Sequence, residues 1–143
     1  MSKKILIASD HAGFDLKEKL IQEMPNDIFE DLGTNSNKSV DYTDYANEVA
    51  GIINTDNNKK GVLICGTGVG MSVAANKFKN IRAGLVYNSK VAKLIREHND
   101  ANILILPGKY MDIHEAKKCV ENFLTSSFEG GRHIRRLNKI VKE

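Results

Sequence analysis

The sequence has little cysteine, few aromatic residues and no long hydrophobic run, and each shortage excludes a class of protein. Its 143 residues include two cysteines, two prolines and no tryptophan, and aromatic residues make up 6%. Two cysteines form neither a disulfide framework nor a four-cysteine metal site. No apolar run approaches the roughly 18 residues of a membrane span. The net charge of +3 is too small to indicate a nucleic-acid partner.

The remaining composition is typical of a soluble globular protein, with 41% hydrophobic and 27% charged residues. The length suits one domain, so residues 1–143 are expected to form a single domain. The first residues lack the long apolar stretch and small-residue cleavage site of a signal peptide. We therefore expect a cytoplasmic protein with no membrane partner.

Short apolar runs alternate with helix-like patterns along the whole chain. The predicted strands are residues 4–9, 28–32, 61–65, 82–86 and 103–106. The predicted helices are residues 13–24, 42–54, 68–76, 89–98, 112–125 and 132–141. We expect Ser89 to cap the fourth helix, and Asp112 with Glu115 to form a capping-box-like pair at the fifth. The alternation predicts an α/β fold whose parallel sheet is covered by helices on both faces.

Residues with reactive or polar side chains flank several predicted strands. They supply a carboxylate, two imidazoles, an amide, a thiol, a glycine-rich turn and an ammonium group: Asp10, His11, His98, Asn99, Cys65, residues 66–70 and Lys109. Because the carboxyl ends of parallel strands meet at one edge of a sheet, we expect these groups to converge there.

Several of these residues also have a purely structural interpretation. Cys65 is either a buried packing residue or a reactive thiol, and its place before a glycine turn and a helix favours the thiolate. Asp10 and His11 could simply cap the first helix, and His98 could be a cation at a helix end. Cys119 lies in the middle of a helix and is expected to be packing. His114 is expected at the surface. Tyr42 is either a hydrophobic staple or the wall of a pocket.

The glycine turn, Gly66-Thr67-Gly68-Val69-Gly70, matches no common nucleotide-binding motif. Met71 stands where a dinucleotide fingerprint needs glycine, and no Lys-Ser/Thr pair follows, as a P-loop requires. What remains is an anion-binding turn beside a possible base. A second anion site is possible in the last helix, where Arg132 and Arg136 are four residues apart and share one face. A solvated basic tail is the alternative for that helix.

Five segments, in this order, resemble the ribose-5-phosphate isomerase B family, which also contains galactose-6-phosphate isomerase subunits. They read SDHAGF, DYTDYA, ICGTGVGMSVAANK, REHNDANIL and FEGGRHIRR, and together they span nearly the whole chain. The resemblance implies a Rossmann-like three-layer α/β/α sandwich with a five-stranded parallel sheet. It also implies an enzyme without a cofactor or metal, which forms a homodimer or homotetramer with active sites between subunits.

The resemblance also implies roles for individual residues. Cys65 would be the base that removes the sugar C2 proton, and His98 the group that opens the sugar ring. The turn of residues 66–70, with Thr67 as a further catalytic residue, would hold the enediolate oxygen. The other implied substrate contacts are Asp10, His11, Tyr42, Asn99, Lys109, Arg132 and Arg136. Lys109 departs from the arginine found in many relatives, which weakens its assignment to phosphate.

Three functions are open at this point. The first is an isomerase of ribose 5-phosphate and ribulose 5-phosphate. The second is a six-carbon sugar-phosphate isomerase of the galactose 6-phosphate type. The third is a non-catalytic sugar-phosphate-binding module, which would have no need of a thiol base.

Overall fold

The computed structural model describes residues 5–142, which form a five-stranded sheet and six helices. The strands are β1 (Ile5–Ser9), β2 (Phe29–Asp31), β3 (Gly61–Cys65), β4 (Ala83–Leu85) and β5 (Ile103–Pro107). The helices are α1 (Phe14–Glu23), α2 (Tyr42–Asn54), α3 (Val69–Ala75), α4 (Ser89–Asn99), α5 (Ile113–Thr125) and α6 (Arg132–Asn138). The strand order is β2-β1-β3-β5-β4, and every pairing is parallel. The predicted α/β/α architecture is confirmed.

Buried apolar side chains on the two faces of the sheet explain the three layers. Alternate residues of a strand point to opposite faces. On β3, Val62 and Ile64 pack with residues of α1, α4 and α5, whereas Leu63 and Cys65 pack with residues of α2 and α3. The Cys65 side chain therefore lies on the same face as the helix that follows the glycine turn.

Some predicted element ends differ from the structure. Asn88 caps α4, not Ser89, because the Asn88 side chain accepts a hydrogen bond from the Val91 N–H at 2.9 Å. Asp112 caps α5 as predicted, by accepting from the Glu115 N–H at 2.9 Å. The Glu115 carboxylate accepts from the Ser89 N–H at 2.6 Å and so ties α5 to the start of α4.

The two short strands lie at the sheet edges, where they need fewer buried residues. Glu30 interrupts the apolar run of β2 and is exposed there. The last helix ends at Asn138, three residues before the predicted end. The predicted first residue of β1, Lys4, lies outside the described residues.

The direction of α4 decides where its last residues lie. Parallel β4 and β5 both point the same way, so the helix that connects them runs back across the sheet. The helix begins at the carboxyl edge, where the strands end, and it ends at the amino edge, where the strands begin. The residues of α6 contact α4 and belong to the same end of the molecule.

Candidate active site

The carboxyl ends of the three central strands bring several predicted site residues together. In the register of the sheet, Ser9 of β1 pairs with Ile64, and Cys65 of β3 pairs with Pro107 of β5. Asp10 and His11 follow β1 directly, and the glycine turn follows β3. Lys109 comes two residues after β5. The predicted site residues that follow β1, β3 and β5 therefore meet at one edge within a single chain.

Cys65 ends β3 with its side chain almost buried, at 5% exposure. Its carbonyl accepts a hydrogen bond from the Gly108 N–H at 2.8 Å, and the carbonyl of Gly66 accepts from the Lys109 N–H at 3.0 Å. These bonds join the loop after β5 to the start of the glycine turn. A Cβ added to Gly66 would lie 3.5 Å from Cδ of Lys109, so the lysine side chain runs beside the turn.

The glycine turn leads from the thiol into α3. Gly68 has φ of +80°, a left-handed conformation that favours glycine, and a Cβ there would overlap Leu85. The hydroxyl of Thr67 accepts a hydrogen bond from the Val69 N–H at 3.2 Å, which secures the first residue of α3. The turn is thus a fixed loop of backbone, with Thr67 and Val69 exposed at its rim.

Asp10 and His11 are both held by backbone hydrogen bonds. Oδ1 of the buried Asp10 accepts from the N–H of Gly13, the residue before α1, at 3.0 Å, and no side chain among the described residues caps the helix itself. Nδ1 of His11 accepts from the Val40 N–H at 3.1 Å. As an acceptor Nδ1 carries no proton, so in the neutral ring the proton lies on Nε2. His11 can therefore donate a hydrogen bond to an anion through Nε2.

Tyr42 forms a wall beside the glycine turn. A Cβ on Gly70 would lie 2.6 Å from Cε1 of Tyr42, so only glycine allows the ring to pack this closely. The residue is 38% exposed, so it is accessible to solvent as well as packed on the turn.

Four of the predicted site residues do not join this group. His98 and Asn99 are the last residues of α4, and Arg132 and Arg136 lie on α6, so all four are at the amino edge of the sheet. The prediction that His98 and Asn99 converge with the strand-end groups is wrong for a single chain. The reason is that a connecting helix ends at the opposite edge from the strand that precedes it. A site that contains both groups therefore needs residues from two chains.

His98 belongs to a small cluster that the sequence prediction missed. Its ring stacks on His133, with centroids 4.4 Å apart and planes 18° apart. Oε1 of Glu129 lies 3.9 Å from Nε2 of His98 and 3.6 Å from Nε2 of His133. Burial lowers the pKa of His133, and the charge of Arg132 and the proximity of His98 lower it further. The i, i+4 spacing of Glu129 and His133 was the available signal.

The remaining histidine and cysteine lie where the sequence predicted. His114 is exposed in the first turn of α5. Cys119 is fully buried, and burial together with the charge of Glu115 raises its pKa to about 12. It is therefore a packing residue.

Among residues 5–142, no helix is both long and apolar enough to cross a membrane.

Comparison with known proteins gives one consistent family. The ribose/galactose isomerase family model matches residues 5–140. Ribose-5-phosphate isomerase B of Escherichia coli is 41% identical, with 97% of this chain and 95% of the relative covered. The chain belongs to the ribose/galactose isomerase family.

Solved structures place it within that family. A ribose 5-phosphate isomerase from Thermotoga maritima superposes with a TM-score of 0.92 at 48% identity, over 97% of each chain. Ribose-5-phosphate isomerase B from Mycoplasma genitalium, solved with bound ribulose-5-phosphate, has a TM-score of 0.90 at 43% identity, over 97% of this chain and 94% of the relative. The predicted resemblance to ribose-5-phosphate isomerase B is confirmed.

Proposed function

We propose that the protein interconverts ribose 5-phosphate and ribulose 5-phosphate through an enediolate, with Cys65 as the base. The observation that carries this proposal is the place of the Cys65 thiol at the head of the fixed glycine turn. The relative from Mycoplasma genitalium, which binds ribulose-5-phosphate, supports a phosphorylated five-carbon substrate. The reaction moves protons and no other group, so the chain's own residues suffice for it.

The first chemical step is removal of a carbon proton. In the open-chain aldose, the Cys65 thiolate takes the proton from C2, and the electron pair forms a C1–C2 double bond while negative charge moves to O1. The thiol then returns a proton to C1, and the hydroxyl proton of O2 passes to O1, which gives the ketose. A nearly buried thiol suits this step because little water competes for it.

The developing charge needs hydrogen-bond donors that are already in place. The backbone N–H groups of residues 66–70 follow the thiol directly, and the left-handed Gly68 fixes their path. A single such donor is worth about 10²–10³ in rate in enzymes that stabilise an oxyanion. The Val69 N–H is already bonded to the Thr67 hydroxyl, so other N–H groups of the turn would do this work.

The substrate phosphate supplies binding energy away from the reacting carbons. Within one chain, Nε2–H of His11 and the ammonium group of Lys109 lie at the edge that holds Cys65. Arg132 and Arg136 lie at the other edge, so in this proposal they come from a second chain of a homodimer or homotetramer. His98 of that second chain would open the sugar ring, and its Asn99 would bind a hydroxyl. Asp10 and Tyr42 complete the pocket around the sugar.

A coupled assay of the purified protein tests the proposal most simply. We expect conversion of ribose 5-phosphate with kcat/KM at least about tenfold above that for galactose 6-phosphate or another six-carbon sugar phosphate. A preference for six-carbon substrates would favour the second function named above. Binding of both sugar phosphates with no turnover of either would favour a non-catalytic module.

A further inference from the structure

Glu129 and His133 form, with His98, a group of three side chains that can hold a metal ion. One ring nitrogen of each histidine and a carboxylate oxygen of Glu129 all lie within 4.8 Å of one another. The ligands come from three parts of the structure: the end of α4, the segment before α6, and α6 itself. The Glu129 N–H donates to the carbonyl of Glu97 at 3.0 Å, which holds the carboxylate-bearing segment against α4.

His133 is the residue that most needs an explanation. It is 5% exposed, and its buried Nε2 has no hydrogen-bond partner among the described residues. A buried polar atom without a partner destabilises the folded chain, so such atoms are uncommon. Oε1 of Glu129 is 3.6 Å from this nitrogen, which is too long for a hydrogen bond. Nε2 therefore points into the group with its bonding capacity unused.

We propose that His98, Glu129 and His133 bind one divalent transition-metal ion of the zinc class. Two imidazoles and one carboxylate form a common three-ligand set for zinc, with the fourth position left to water. Bonds of about 2.0–2.1 Å in tetrahedral geometry place ligand atoms about 3.3 Å apart. The two nitrogen–oxygen separations of 3.6 and 3.9 Å need to shrink by about 0.3 and 0.6 Å. The two ring nitrogens lie within 4.8 Å of each other and need to approach to the same distance.

The necessary movement falls on the two more exposed side chains. His98 and Glu129 are 38% and 51% exposed, whereas His133 is fixed by its burial. The two rings are nearly parallel in the stack, so the lone pairs of their Nε2 atoms do not yet meet. His98 therefore has to turn toward the lone pair of His133 when the ion binds.

The surrounding charge determines which ions can bind. Arg132 and Arg136 lie close enough to act electrostatically on His133, and they oppose any cation at this place. Glu129 offers a single carboxylate against them. Magnesium and calcium depend on several oxygen ligands and are excluded here. Zinc, nickel and cobalt bind imidazole nitrogen well and can overcome the repulsion.

Occupancy of this site would control the enzyme through His98. An ion on Nε2 of His98 takes the lone pair with which that nitrogen accepts and returns a proton. Ring opening would then stop while Cys65 and the glycine turn remain intact. This consequence, unlike metal binding itself, depends on the proposed function of His98.

The test measures zinc binding by equilibrium dialysis in a Cys65→Ala background, which removes the thiol as a competing ligand. We expect one zinc ion per chain, a loss of affinity of about tenfold or more in Glu129→Gln, and abolished binding in His133→Gln. His114→Asn is the matched control, because His114 is exposed on another helix, and it should bind as well as the parent. Magnesium should not bind. Cobalt should give an absorption spectrum of nitrogen and oxygen ligands without a thiolate band.

Three results would each overturn the site. They are no zinc bound at millimolar concentration, equal affinity in the parent and Glu129→Gln, and a loss in His114→Asn that matches the loss in Glu129→Gln. The activity measurement is separate: zinc should inhibit the wild-type isomerase, a chelator should restore it, and Glu129→Gln should resist inhibition. Undiminished inhibition of Glu129→Gln would refute control through His98. A protein that binds zinc but isomerises no sugar phosphate would retain the site and refute the proposed function.

Discussion

Cys65 and His98 lie at opposite edges of the same sheet. Cys65 ends β3 at the carboxyl edge, and His98 lies in the last turn of α4, which ends at the amino edge beside the start of β5. A five-residue strand spans about 13 Å. To contact both side chains within one chain, a single sugar phosphate would have to bridge a similar distance. A site that uses both residues therefore takes them from different chains.

Replacement of Cys65 by alanine should abolish isomerisation and largely preserve binding of the sugar phosphate. The thiol has no substitute at the head of the turn, whereas the phosphate contacts lie elsewhere. Turnover by coupled assay and binding by calorimetry check the two parts. Cys119→Ala is the matched control and should keep its activity, because that thiol is buried in α5. Activity of Cys65→Ala within about tenfold of wild type would falsify the base assignment.

Replacement of His98 by asparagine should damage turnover of a cyclic substrate more than turnover of an open-chain analogue. The proposed role of His98 is to open the ring, and an analogue that is already open does not need that step. Single-turnover rates with the two substrates measure the difference. Equal losses on both would show that His98 has another role.

Arg136 and Arg135 are neighbours on α6 that should behave differently. Arg136 is one helical turn from Arg132, whereas Arg135 points about 100° away from Arg136. Both side chains are exposed in the single chain. Arg136→Ala should raise KM by roughly 10–100-fold, because a charge-assisted bond to phosphate is worth about 1.5–3 kcal/mol. Arg135→Ala should change KM little, and an equal effect of both would contradict the phosphate assignment.

We expect the buried thiol of Cys119 to make the protein less stable in alkaline solution. Burial raises its pKa from 9.0 to about 12, so the folded chain favours the neutral thiol. The contribution of this thiol to the free energy of unfolding is complete below pH 9.0 and is lost as the pH rises from 9.0 toward 12. The slope reaches about 1.4 kcal/mol per pH unit. Urea unfolding of wild type and Cys119→Ala at several pH values isolates this slope from other groups. Parallel curves for the two proteins would rule it out.

The parts of the fold set by hydrophobic pattern could be predicted from the sequence. Continuous apolar runs such as Val62 to Cys65 gave the central strands, because strands buried on both faces need apolar residues at every position. The element ends were harder to predict. Asn88 and Ser89 are both good cap residues, and only the fold shows which of them meets the Val91 N–H.

The candidate site was predictable where it depends on strand order and not where it depends on a helix direction. Asp10, Cys65 and Lys109 follow parallel strands, so their shared edge follows from the pattern. His98 lies at the end of helix α4. The edge of the sheet at which it lies is known only once the connection from β4 to β5 is traced. Glu129 was missed because its only local signal is the i, i+4 spacing to His133, which is common among solvent-exposed helical pairs. Its other partner, His98, is separated from it in the sequence by β5 and α5.

The most direct test of the shared site mixes two variants that are each strongly impaired at substrate concentrations below KM. Cys65→Ala and Arg136→Ala are combined under conditions that exchange subunits, and exchange is verified by mass. A dimer of one chain of each kind has one intact site, since the Arg136→Ala chain supplies Cys65 and the Cys65→Ala chain supplies Arg136. With equal amounts, activity should recover to roughly a quarter of wild type at substrate below KM. A mixture that stays inactive despite verified exchange would show that Cys65 and Arg136 of one site belong to the same chain.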